Sequence, residues 1–199
     1  MKHVLLAQKM PGLAKTAASP PDQPAMTTPP ETLWDLFDFS GPGAARAWRS
    51  VDDVVMGGLS ASRFVVDEND RGIFTGTVSL RNNGGFASVR VAATLPSEAT
   101  MECITLEVRG DGKIYKLNLR TDRSLDGAGW QTSFGTVADT WTTVTLPLRD
   151  FLPRWRGRLI RDAPPFDPAG LQSIGLSIAD KQEGPFWLEI RRLTAGLCA

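Results

Sequence analysis

The chain has 199 residues, 22 basic and 22 acidic, and 42% of it is hydrophobic. That is enough for one core, and the zero net charge gives no electrostatic case for nucleic acid or an anionic membrane. The one His, His3, lies near the start, so a domain downstream has no imidazole for a Ser-His-Asp triad, a Cys-His dyad or a histidine metal site.

Cys103 and Cys198 form no C-x-x-C and cannot close a zinc site by themselves. They read as thiols of a reducing compartment, with a single Cys103–Cys198 bridge as the other option. No apolar run approaches the roughly 18–20 residues a membrane helix needs. The expected location is cytoplasmic, peripheral at the membrane through a protein partner.

Residues 1–33 hold six of the fourteen Pro and three of the six Lys, and show no hydrophobic periodicity. Such a segment buries too little apolar surface to offset its chain entropy, so it reads as a disordered tail. The apolar run at residues 4–7 is shorter than the roughly 7–15 of a secretory signal. A misplaced start, with translation from Met26, is the other reading. Residues 34–199 read as one β-sandwich domain.

From residue 33 on, short runs alternate apolar and polar residues. Strands are expected at 33–39, 60–66, 72–80, 86–92, 102–109, 113–121, 130–135, 141–146, 173–179 and 186–193. Turn signals separate them, such as Asn82-Asn83-Gly84-Gly85 and Asp126-Gly127. Asp111-Gly112 reads as a two-residue hairpin turn. Short helical turns are expected at 44–48 and 167–171. The pattern is an all-β jelly-roll sandwich with few helical turns.

The period of two assigns faces. Tyr115, Leu117 and Leu119 share one side of their strand, and Lys116, Asn118 and Arg120 the other. Arg90 opposes Val89 and Val91, and Gln131 opposes Trp130. If these strands are neighbours, Arg90, Lys116, Asn118, Arg120 and Gln131 line one polar face. That face is either an ordinary solvated surface or a site for a sugar or a peptide. Trp48, Trp130 and Trp155 stand beside Gly- or Arg-rich turns and are expected to be partly exposed.

Four stretches stand out in order. The first runs Trp48-Arg49-Ser50-Val51-Asp52-Asp53, then Met56-Gly57-Gly58-Leu59-Ser60. Then come Asn82-Asn83-Gly84-Gly85-Phe86-Ala87-Ser88-Val89-Arg90, Arg109-Gly110-Asp111-Gly112-Lys113, and Trp141 through Pro147 into Asp150-Phe151-Leu152-Pro153. Together they resemble the family of the complex I intermediate-associated protein of 30 kDa. The resemblance spans nearly all of residues 34–196. It implies a galactose-binding-like jelly roll. It also implies a non-catalytic role in assembling NADH:ubiquinone oxidoreductase, by binding protein intermediates, with respiratory-complex subunits as partners.

Three functions follow as expectations. The first is this protein-binding assembly role. The second is a carbohydrate-binding module with a glycan partner. The third is a hydrolase using Asp52, Asp53, Glu107 or Asp126, weakened because adjacent carboxylates point apart in extended chain. The binding residues expected are Asp53, Asn83, Arg90, Lys116, Asn118, Arg120 and Trp130. No Asp-x-Asp-x-Asp pattern supports calcium, and no metal, cofactor or catalytic residue is assigned.

Overall fold

A computed structural model describes residues 33–122 and 127–198. The expected tail, apart from Leu33, and Asp126 lie outside these residues. The strands in chain order are β1 Trp34–Asp35, β2 Arg49–Ser50, β3 Ala61–Val66, β4 Gly72–Val78, β5 Ala87–Ala92, β6 Cys103–Gly110 and β7 Ile114–Arg120. They continue with β8 Gly129–Gly135, β9 Thr142–Pro147, β10 Leu152–Trp155, β11 Arg158–Leu159, β12 Ser173–Ile178 and β13 Gly184–Gly196.

They form two antiparallel sheets. Sheet A runs β3-β4-β13-β6-β9, with β1 also paired to β13. Sheet B runs β11-β10-β8-β7-β12-β5-β2. Each of the ten expected strands is present. The first shrinks to β1, because residues 37 and 39 turn into an aromatic cluster with Trp48 and Phe64. Three short strands, β2, β10 and β11, gave too little alternation to be read. The two expected helical turns are α1, Ala44–Ala47, and a 3₁₀ turn at Pro168–Gly170 whose Asp167 side chain accepts from the Ala169 N–H at 3.1 Å.

The core fills the space between the sheets. Phe74, Leu106 and Leu188 of sheet A meet Val89, Leu117 and Leu176 of sheet B, all essentially solvent-free. One core side chain ties the two sheets. Tyr115 is fully buried, and its hydroxyl donates toward Asp111 Oδ1 and the Trp187 carbonyl, each at 2.8 Å.

This explains a correction. Asp111-Gly112 is not a hairpin turn, because β6 belongs to sheet A and β7 to sheet B. The chain arches from one sheet to the other, with Gly112 at φ +85°. Asp111 also accepts from the Lys113 and Trp187 N–H groups. Adjacent apolar runs and a Gly turn look the same in sequence whether the strands pair or face each other.

A second correction concerns the cysteines. Cys103, at the start of β6, is joined to Cys198, beyond the end of β13, in a disulfide with Cα atoms 5.2 Å apart. Gly196 pairs with Cys103 in the ladder, which brings the two sulfurs together. A third concerns Trp48, which is 6% exposed and stacked on Phe64 at 4.2 Å. Trp155 is 44% exposed.

Candidate functional site

The two glycine-rich motifs meet around one carboxylate. Asp53 is wholly buried. Its Oδ1 accepts from the Ser60 N–H at 2.9 Å. Its Oδ2 accepts from the Ser60 hydroxyl at 2.6 Å, Gly85 N–H at 2.7 Å and Phe86 N–H at 3.2 Å. Burial pushes this carboxyl up, but the four donors outweigh it and hold it below its ordinary value. Asp52 turns the other way and accepts from Ser62 N–H and hydroxyl and from the Ser88 N–H. The Asn82 amide closes the pair of loops by donating to Gly57 O at 3.3 Å.

The glycines are fitted to this buckle. A Cβ on Gly58 would lie 2.3 Å from Asp53 Oδ1, and one on Gly84 would lie 2.7 Å from Oδ2. Asp53 is therefore turned inward and fully engaged. Asn83 sits on the exposed turn above it, at φ +58°.

The polar side chains gather elsewhere, on the outer face of sheet B. Register lines Arg49, Arg90, Gly175, Asn118, Gln131 and Leu152 up across six strands. The neighbouring row is Ser88, Ser177, Lys116 and Ser133. Gln131 donates to Asn118 Oδ1 at 2.6 Å, and Asn118 donates to Ser177 Oγ at 3.1 Å. Lys116 pairs with Asp180 at 2.8 Å, and Arg120 donates to Gly127 O at 2.5 Å. Burial first, then the Arg120 charge, pulls the Arg90 guanidinium down to about 10, against an opposing pull from Asp122.

Arg90, Lys116, Asn118 and Arg120 thus share one face. Trp130 lies on the opposite side of its strand, packed on Phe166 at 5.5 Å with its indole N–H on Pro164 O. Sequence reasoning passed over the floor of this face. Ser173, Gly175 and Ser177 alternate with Ile174, Leu176 and Ile178 along β12, and the alternation of small with large residues was the available signal. A Cβ on Gly175 would come within 2.9 Å of Val89 O, so glycine keeps the strands close. The Ser173 hydroxyl is buried and has no partner among the described residues.

Sheet A presents a different surface. Arg109 forks onto Glu189 at 2.8–3.1 Å and lies between the Trp141 and Trp187 rings, at 5.5 and 5.9 Å. Arg191 covers Trp141 at 4.3 Å and pairs with Glu107. Glu107 is thus paired on the sheet A surface, while Asp52 and Asp53 are taken up by backbone and hydroxyl donors of the buckle. No group of three His, Cys, Asp or Glu among the described residues is arranged to hold a metal.

The sequence pattern of the family described as complex I intermediate-associated protein 30 matches residues 37–190. The chain is 27% identical over 179 residues to the mitochondrial complex I intermediate-associated protein 30 of Drosophila melanogaster, covering 78% of this chain and 60% of that one. It is 33% identical over 89 residues to the Mus musculus protein of the same name, covering 43% of this chain and 27% of that one. The chain thus spans three fifths or less of these relatives.

Among solved structures it is similar to a family 11 carbohydrate-binding module of a Clostridium thermocellum cellulase. The TM-score is 0.62 at 15% identity, over 84% of this chain and 96% of that one. A Clostridium thermocellum family 11 module in complex with a β-1,3-1,4-mixed-linked tetrasaccharide gives 0.58 at 16% identity, over 82% of this chain and 94% of that one. These likenesses are of fold: a galactose-binding-like jelly roll.

Proposed function

The chain belongs to the complex I intermediate-associated protein 30 family, and from that premise we propose that its sandwich is a non-catalytic module that binds partner proteins during assembly of NADH:ubiquinone oxidoreductase. The family match across 37–190 carries the reading, because it covers both motifs of the buckle and nearly every strand. The docking surface in this proposal is the outer face of sheet B, with Arg90, Lys116, Asn118 and Arg120. Arg and amide side chains on a flat sheet suit a polar protein surface.

The test is affinity capture from native membranes with the tagged chain. Recovery of respiratory-complex subunits is expected, and Asn118→Ala with Arg90→Ala should weaken it about tenfold. Capture that is empty, or unchanged in the double variant while the fold is intact, removes the reading.

A second reading is favoured by one feature. The small-residue floor of β12 lies beneath a row of amides and guanidinium groups. This supports a polyhydroxylated ligand such as a glycan chain. Calorimetry with linear β-glucan oligosaccharides tests it, and no heat at millimolar ligand removes it.

The same proposal puts the chain at a membrane periphery through the partner, with the cytoplasmic location expected only if the Cys103–Cys198 bridge is open in the cell. Among the described residues no helix is long and apolar enough to cross a membrane. The Cys103–Cys198 bridge opposes a reducing compartment. Alkylation of the freshly lysed native protein, read by intact mass, decides between them.

A further inference from the structure

The loop that the buckle holds is apolar and faces outward. Val54, Val55, Met56 and Leu59 are 48–77% exposed, with Leu80 beside them on the second loop. Exposed apolar side chains scattered singly are ordinary; four in six residues on one loop are not. The loop is also held firmly. Its 3₁₀ turn, Asp53–Met56, is closed by Gly57 at φ +87°, and Gly58 N–H donates back to Asp53 O at 3.0 Å. The residues that anchor it are buried or hydrogen-bonded, and the apolar tip stands clear of the core.

The surroundings indicate what covers it. Residues 54–59 and 80–85 contain a single charged side chain, Arg81. The two carboxylates of the motif, Asp52 and Asp53, are turned inward onto backbone and hydroxyl donors. The outer carboxylate of Glu183 accepts from the Leu80 N–H at 3.4 Å. A projecting cluster of four or five side chains falls well short of the roughly 20–30 residues a side of a stable protein interface. A bilayer surface needs no preformed complement, and its affinity grows with buried apolar area and with attraction of a cation to anionic headgroups.

The geometry points to a membrane-surface site: Val54, Val55, Met56 and Leu59 enter the headgroup boundary of a phospholipid leaflet while Arg81 faces anionic headgroups. The neutral net charge of the chain bears on broad attraction, whereas this contact is local and mainly apolar. It does not depend on which protein partner the sheet B face takes.

Flotation of the purified full chain with vesicles tests it. Vesicles of phosphatidylcholine with one quarter phosphatidylglycerol should carry the protein. Val55→Asp with Met56→Asp should lower the bound fraction about tenfold without moving the melting temperature. Arg81→Ala should lower it about fivefold on the anionic vesicles and leave pure phosphatidylcholine unchanged. Met56→Cys carrying an environment-sensitive dye should shift to the blue on vesicles. Wild-type protein that stays with the aqueous fraction, binding indifferent to the double substitution, or a dye that does not shift would each overturn the site.

Discussion

The buckle at Asp53 and the outer face of sheet B are both polar, and they are built in opposite ways. In the buckle one carboxylate takes four donors in a place that water does not reach. On sheet B, amides and guanidinium groups lie in open rows, half-buried, over small residues. The first arrangement uses up its hydrogen bonds in holding two loops together. The second keeps polar groups at the surface, where a partner can meet them. The distinctive motifs of this sequence therefore mark a joint, and the less distinctive alternation of β7 and β12 marks the surface.

The contrast makes graded predictions. Asp53→Ala should be the most damaging, since it strands four donors, two buried and two part-buried, around a buried site; a loss of about 3–5 kcal/mol in urea unfolding is expected. An effect below about 1 kcal/mol would show that the joint is ornamental. Cys198→Ser removes a loop closure spanning 95 residues and should cost about 2–4 kcal/mol, matched by reductant on the wild type. Gly84→Ala forces a Cβ onto Ser79 O, 2.6 Å away, and onto Asp53, and should cost about 1–3 kcal/mol.

The pH response sharpens the same comparison. A carboxylate lowered in the fold contributes stability above its unfolded value, and that contribution is lost as pH falls through its folded value. Wild-type stability should therefore decline as pH drops below about 4. Asp67, held down to about 2 first by its hydrogen bond with Arg71, adds to this in the same window. Asp53→Asn should be less stable at neutral pH and should show a shallower acid decline, read by melting temperature across pH 2–6. The smallest stability effects belong to the open face. Arg90→Ala and Asn118→Ala should each change stability by about 1 kcal/mol or less while weakening partner capture.

Much of this was legible in the sequence, for physical reasons that can be named. Alternation reports which side of a strand is buried, so Tyr115, Leu117 and Leu119 were placed inside and Lys116, Asn118 and Arg120 outside from spacing alone. Alternation does not report which sheet a strand joins, so β6 and β7 read as a hairpin although Tyr115 bridges from one sheet to the other. Charge type suggests an outward role, and Asp53 was read that way. Its inward turn depends on Ser60, Gly85 and Phe86 N–H groups up to 33 residues away, which no local pattern reveals. The pairing of the cysteines had the same origin, a ladder between β6 and β13 that is distant in sequence.

The order of strands within the sheets has a consequence for how the chain comes together in time. In sheet B, β12 is an interior strand that joins β7 to β5, and the middle of sheet A is β13, between β4 and β6. Of the described strands these are the last two in chain order. Until residues 173–196 are available, the earlier strands have only the pairings β11-β10-β8-β7, β5-β2, β3-β4 and β6-β9, and β1 awaits β13. None of these pieces has its final neighbours, and each exposes an apolar face. The nascent chain thus spends most of its growth as an unsealed set of hairpins and ribbons, with long-range pairing deferred to the end. A chaperone that shields apolar strands would have its main work in that interval, and substitutions in β12 or β13 should lower yield more than equal substitutions at the sheet edges.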